Sequence, residues 1–120
     1  MGLESTMTDI SKHINEETIE ELREIMEDDF DELISTYVED SKARIIELGS
    51  AFNVLNHIEI RDAAHTLKGS SANLGAMALS EFCAELEDLA KQEDSADAVG
   101  IIEKITTEFS SVSSILNTFI

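Results

Sequence analysis

The apolar residues between positions 30 and 55 restrict the fold of this chain more than any other feature. Phe30, Leu33, Ile34, Tyr37, Val38, Ile45, Leu48, Phe52 and Leu55 keep to spacings of three and four, which places them on one face of a long α-helix. A half-buried strand would show every second residue apolar instead. Nothing in the composition opposes the helix. The 120 residues include no proline, the residue that breaks a helix most severely. Gly49 lies inside the stretch and is expected to loosen or bend it slightly.

The same period recurs along the chain. Asn15-Glu16-Glu17 reads as a helix start with acids in the first turn, and Ile19, Leu22 and Met26 mark the face of a short helix. Asp28-Asp29 is expected to open the long helix, which ends near residues 53–56. Asn56-His57-Ile58-Glu59 has the pattern of an N-cap with an acid three residues on, and Leu74-Gly75 has that of a helix end. From Ala76, the residues Leu79, Phe82, Cys83, Leu86 and Ala90 form the next stripe. Gln92 to Ser95 is a polar link with Ser95 the expected cap, and Ala98, Ile102, Ile105, Phe109, Val112, Leu116 and Phe119 complete the series. Four long amphipathic helices with short links predict an all-α, antiparallel up-down-up-down four-helix bundle, with a short additional N-terminal helix at one end. Residues 9–120 are expected to form this single domain. Residues 1–8 carry no period and are expected to be disordered, with Met7 read as a natural start and residues 1–6 as an addition.

Within the helix that begins near Asn56, phase separates two faces. At about 100° per residue, Ile60, Ala63, Ala64, Ser71 and Leu74 fall within roughly 60° of Leu67, and His65 falls roughly 160° away. Arg61, Lys68, Gly69 and Ala72 share the histidine's side. His65 is therefore expected to stand out in solvent among bare or basic neighbours. A glycine in a helix interior costs about 1 kcal/mol relative to alanine, so Gly69 is costly to the helix itself. On the outward face it clears an approach to the imidazole. An exposed imidazole, a cation three residues on and open space suit the carriage of a phosphoryl group, whose oxygens need charge balance during transfer.

The run His65-Thr66-Leu67-Lys68-Gly69-Ser70-Ser71, with Leu74-Gly75-Ala76 and the downstream Leu79, Phe82, Cys83 and Leu86-Glu87, closely resembles the histidine phosphotransfer (HPt) domains of multistep phosphorelays. The resemblance extends over about residues 15 to 120. It implies that His65 is the phosphorylated residue and that Lys68 and Gly69 support it. It further implies that the chain takes a phosphoryl group from a receiver-domain aspartate and passes it to another receiver, downstream of a hybrid sensor kinase. By the same resemblance, no cofactor is expected on this chain, and Mg²⁺ belongs to the partner receiver. Lys68 is expected to balance phosphoryl charge, Gly69 and Ala72 to leave room for the partner, and Arg61 to aid recognition. Imidazole is neutral over part of the physiological pH range, which makes a nucleophilic nitrogen available. The competing readings are a helical adaptor that binds a receiver-like partner without transfer, and a piece cut from a larger sensor kinase.

Blander explanations exist for each residue alone. Surface histidines and lysines are usually just solvated, and a helical glycine usually serves close packing. The phase of Gly69, away from the core, weakens that last explanation. His13 and His57 lack a lysine and glycine in register and are expected to be plain surface residues, His13 in a loose region before the first helix. Cys83 lies on an apolar stripe and is expected to act as a small buried hydrophobe. No helix-spaced His/carboxylate set suggests a metal site, and no glycine-rich phosphate loop suggests a nucleotide site or kinase activity.

Charge narrows the partners. The formal net charge is −18, which opposes binding to nucleic-acid phosphates and to anionic membrane surfaces. Arg61 and Lys68 form a local basic spot on the His65 face, suited to an acidic pocket on another protein. No apolar run approaches a membrane span and no signal peptide opens the sequence. The single cysteine allows no internal disulfide and fits a reducing compartment. A cytoplasmic monomer is the expectation.

Overall fold

The computed structural model describes residues 10–120; the expectations for residues 1–8 lie outside them. From residue 16 onward the described residues form α1 (Glu16–Met26), α2 (Phe30–Asn53), α3 (His57–Asn73), α4 (Met77–Lys91) and α5 (Ser95–Asn117). Helices α2 to α5 form the predicted antiparallel bundle. Each packs on the next, and α5 closes on α2.

Local chemistry sets the helix ends. The side-chain oxygen of Asn15 accepts from Thr18 N–H at 3.3 Å and caps α1. Asn56 caps α3, accepting from Glu59 N–H at 3.1 Å while its amide donates to the Glu59 carboxylate at 3.2 Å. Two boundaries differ from expectation. Asp28 and Asp29 belong to a 3-10 turn, Glu27–Asp29, and α2 proper begins at Phe30. The cap of α5 is Asp94, not Ser95: its carboxylate accepts from Asp97 N–H at 3.1 Å. An ionised acceptor at a helix N-terminus interacts more strongly than a hydroxyl, so Ser95 becomes the first helical residue.

The core is built from the predicted stripes. Ile34, Tyr37, Val38 and Leu48 of α2 meet Ile60, Ala63, Ala64 and Leu67 of α3, and Leu79, Cys83 and Leu86 of α4 meet Ile105, Phe109, Val112 and Leu116 of α5. One member of the stripes sits outside, and others, Phe82 among them, lie at the edge of the core. Leu55 is past the end of α2 at φ 51° and is exposed. Phe82 is half-buried and carries Lys104 Nζ over its ring at 5.9 Å. Helix α2 continues unbroken through Gly49.

The N-terminal side is better anchored than the sequence suggested. Residues 10–13 form a helical turn, Ile14 is buried, and Nδ1 of His13 lies 2.7 Å from the Glu108 carboxylate on α5. The loose region expected around His13 is therefore corrected: a partner 95 residues away holds it, and local periodicity carries no trace of such a contact. Helix α1 lies over the same end of the bundle. Its Arg23 guanidinium sits between the rings of Phe30 at 5.5 Å and Phe119 at 5.2 Å and donates to the Phe119 carbonyl at 3.0 Å. Gly75, in the α3–α4 turn, has φ 78°, and its carbonyl accepts from Asn15 N–H at 2.9 Å. A Cβ there would lie 3.1 Å from Thr18 Cβ and 3.2 Å from the Asn15 carbonyl. Both conformation and space require glycine. Among the described residues, no helix is long and apolar enough to cross a membrane.

Candidate functional site

Helix α3 presents its inner face to the core through Ile60, Ala63, Ala64, Leu67 and Ser71. Buried Ser71 also exchanges a 2.8 Å hydrogen bond with the Tyr37 hydroxyl of α2, which fixes the rotation of α3 about its own axis. That rotation turns His65 outward, and its side chain is 66% exposed, as the phase argument requires. Gly69 lies on the same open side: a Cβ added there meets nothing within 4 Å. It is therefore not a packing glycine.

The neighbours of His65 are not all bare or basic. The Glu87 carboxylate of α4 lies beneath it, with Oε2 3.0 Å from Nδ1 of His65 and Oε1 2.6 Å from Nζ of Lys68. Lys91, one turn further along α4, places Nζ 3.7 Å from Oε2. Glu87 is 7% exposed, and it joins the imidazole and the lysine of α3 to α4. It holds Lys68 back from a free position beside the imidazole. A second contact fixes the two helices at this level: the Ser80 hydroxyl of α4 donates to the Lys68 carbonyl at 3.0 Å.

The electrostatics assign the protons. The hydrogen bond from Lys68 holds the Glu87 carboxyl below the usual glutamate range, burial opposes this, and the His65 hydrogen bond adds to the lowering. An ionised carboxylate only accepts hydrogen bonds. The atom facing it, Nδ1 of His65, must therefore carry a proton. In the neutral ring the lone pair is then on Nε2, away from Glu87. The site thus presents one nitrogen in a fixed tautomer and orientation, with a cation three residues on and no side chain at Gly69, four residues on. Such a nitrogen can act as a nucleophile toward phosphorus.

The remaining sequence-level candidates fall in different places. Arg61 is half-exposed on the His65 side, yet its guanidinium pairs with its neighbour Asp62 at 3.3 Å, which offsets the expected basic spot. Ala72 is half-buried toward the far end of the same face. His57 is the first residue of α3. Cys83 is fully buried, and burial pushes its thiol up to about 12, in keeping with a hydrophobic role. Among the described residues, no three His, Cys, Asp or Glu side chains cluster to hold a metal ion.

Glu87 is the functional residue that sequence reasoning missed as such. A signal was present: it lies four residues after Cys83 and three before Ala90, which puts an acid on the edge of the α4 core stripe. Carboxylates are rarely buried unless paired.

Three comparisons bear on this geometry. A family model described as the Hpt domain matches residues 32–115. The structure is similar to that of histidine-containing phosphotransfer protein B from Pseudomonas aeruginosa PAO1, at 33% identity over 88% of this chain and 92% of that one, with a TM-score of 0.86. It is also similar to histidine-containing phosphotransfer protein ZmHP2 from maize, at 21% identity over 98% of this chain and 91% of that one, with a TM-score of 0.83; at that identity the likeness concerns the fold. No curated protein sequence matches the chain.

Proposed function

We propose, since this chain belongs to the Hpt domain family of phosphorelay phosphocarriers, that it accepts a phosphoryl group on Nε2 of His65 from a receiver-domain aspartate and passes it to a second receiver. The observation that carries this reading is the contact between His65 Nδ1 and ionised Glu87, which leaves the Nε2 lone pair directed outward. In the forward step Nε2 attacks the phosphorus of an aspartyl phosphate. The N–P bond forms and the O–P bond breaks, its electron pair staying on the aspartate carboxylate, while the Nδ1 proton remains in its hydrogen bond to Glu87. The loose transition state spreads charge over the phosphoryl oxygens, and we assign Lys68 to that charge.

The partner closes the site. His65 stands on an open surface, so water exclusion and the acidic pocket come from the receiver, and we assign the Mg²⁺ of the reaction to it as well. Gly69 and Ala72 provide the surface for close approach, and Arg61 a rim contact. The chain acts as a monomeric cytoplasmic carrier between receivers, with a hybrid sensor kinase upstream. The test is incubation with a phosphorylated receiver. The expected result is an acid-labile, alkali-stable phosphate on this chain that is absent from His65→Gln. A stable complex with no transferred phosphate would support the adaptor reading instead.

A further inference from the structure

Glu87 has more cations around it than a resting ion pair needs. Lys68 is hydrogen-bonded to Oε1, while Lys91 stands 3.7 Å from Oε2, within ion-pair range but beyond a hydrogen bond. Lys91 lies in the last turn of α4, where the helix dipole favours a cation. Its side chain is 55% exposed against 34% for Lys68, so it has freedom to move. A phosphoryl group on Nε2 puts anionic oxygens one turn from Lys68, in competition with Glu87 for the same ammonium. A buried carboxylate that loses its donor is costly unless another takes the place.

We infer that Lys91 is a positioning residue for the phosphorylated state: it closes on Glu87 when Lys68 turns to the phosphoryl group, and so keeps Glu87 bound to the Nδ1–H of His65. This rests on the phosphotransfer reading above. The two cations on Glu87 then have separate duties, one leaving with the phosphoryl charge and one replacing it. Because the Lys91 pair is long in the unphosphorylated protein, removing it costs more after phosphorylation than before.

The discriminating measurement is the equilibrium distribution of phosphate between this chain and one receiver, with both proteins dilute enough to be free. Docking contacts cancel from that ratio, because they serve forward and reverse transfer alike. Lys91→Met should move the distribution toward the receiver by about threefold to fivefold at low salt, the scale of a partly exposed ion pair. Lys91→Arg should restore it, and the thermal stability of the unphosphorylated protein should hardly change. In a Glu87→Gln background the Lys91→Met effect should vanish, since Lys91 acts through the carboxylate. An unchanged distribution for Lys91→Met overturns the inference, and so does an effect that persists in the Glu87→Gln background, which would mean direct attraction to the phosphoryl group. Failure of the wild-type protein to take label at His65 would overturn the parent reading instead.

Discussion

His65 Nδ1 and Glu87 Oε2 meet at 3.0 Å across 22 residues of sequence and two different helices. The contact gives the imidazole what helix α3 alone does not, a fixed tautomer and a fixed ring plane. A histidine on an isolated helix would rotate freely and share its proton between the two nitrogens. Here the carboxylate chooses Nδ1 for the proton and leaves Nε2 for chemistry.

His65→Gln is expected to abolish phosphate acceptance while leaving the fold nearly unchanged, since its exposed side chain lies off the core. His57→Gln should transfer normally. His13→Gln should also transfer, but with a lowered melting temperature, because it loses the Glu108 partner. Phosphotransfer assays beside thermal unfolding check all three.

Lys68→Ala should slow transfer more than it weakens docking. A cation that meets phosphoryl oxygens is worth most where their charge shifts, and each tenfold loss in rate corresponds to about 1.4 kcal/mol. Equal losses in receiver affinity and in rate would reduce Lys68 to a contact residue.

Gly69 gives opposite signs for stability and function. Gly69→Ala should stabilise the helix by up to about 1 kcal/mol, because the added Cβ enters open space. Gly69→Gln should also fold well, yet its long side chain stands in the path to His65 and should block transfer. A Gln variant that transfers at the wild-type rate would refute the role of Gly69 in clearance.

The pH dependence of stability follows from Glu87. Its folded pKa is lowered, chiefly by the Lys68 hydrogen bond, so its stabilising contribution is complete above the ordinary glutamate range. That contribution is lost as pH falls through the lower folded value. Denaturant unfolding between about pH 6 and 3 should show wild type losing stability faster than Glu87→Gln at the acid end. Parallel curves would mean that the ion pair contributes nothing to folding.

The buried pair Tyr37–Ser71 should behave non-additively. Tyr37→Phe takes the partner from the buried Ser71 hydroxyl, at about 1–3 kcal/mol, whereas Ser71→Ala leaves the Tyr37 hydroxyl with Ser41 beside it and should cost less. The double variant should cost less than the sum of the two, as measured by a double-mutant cycle in denaturant.

The residues that sequence made legible are those governed by one helix at a time. The outward turn of His65 and Gly69 and the inward turn of Ser71 follow from the period of α3, which the Tyr37–Ser71 hydrogen bond then holds in place, and the Asn15 and Asn56 caps depend on contacts three residues away. The Lys68–Glu87 bridge and the His13–Glu108 anchor depend on how one helix registers against another, which no local period encodes. Leu55 failed for a related reason: it continues the apolar spacing of α2 past the point where the backbone has already turned.

The Ser80 hydroxyl that grips the Lys68 carbonyl has a consequence for traffic through the proposed relay. Together with the Glu87 bridge, it places the reacting histidine on two interlocked helices rather than on a loop that must order itself. The exchange proposed for Lys68 and Lys91 involves side chains alone, so the helix backbones that carry the site need not fold up when a receiver arrives. The phosphorylated imidazole of the free protein holds one energy whichever receiver supplied it, so the carrier of the proposed relay would act as a buffer between two pools. In the proposed relay, raising the phosphorylated fraction of the second receiver would reverse the current through His65 with no change in this protein.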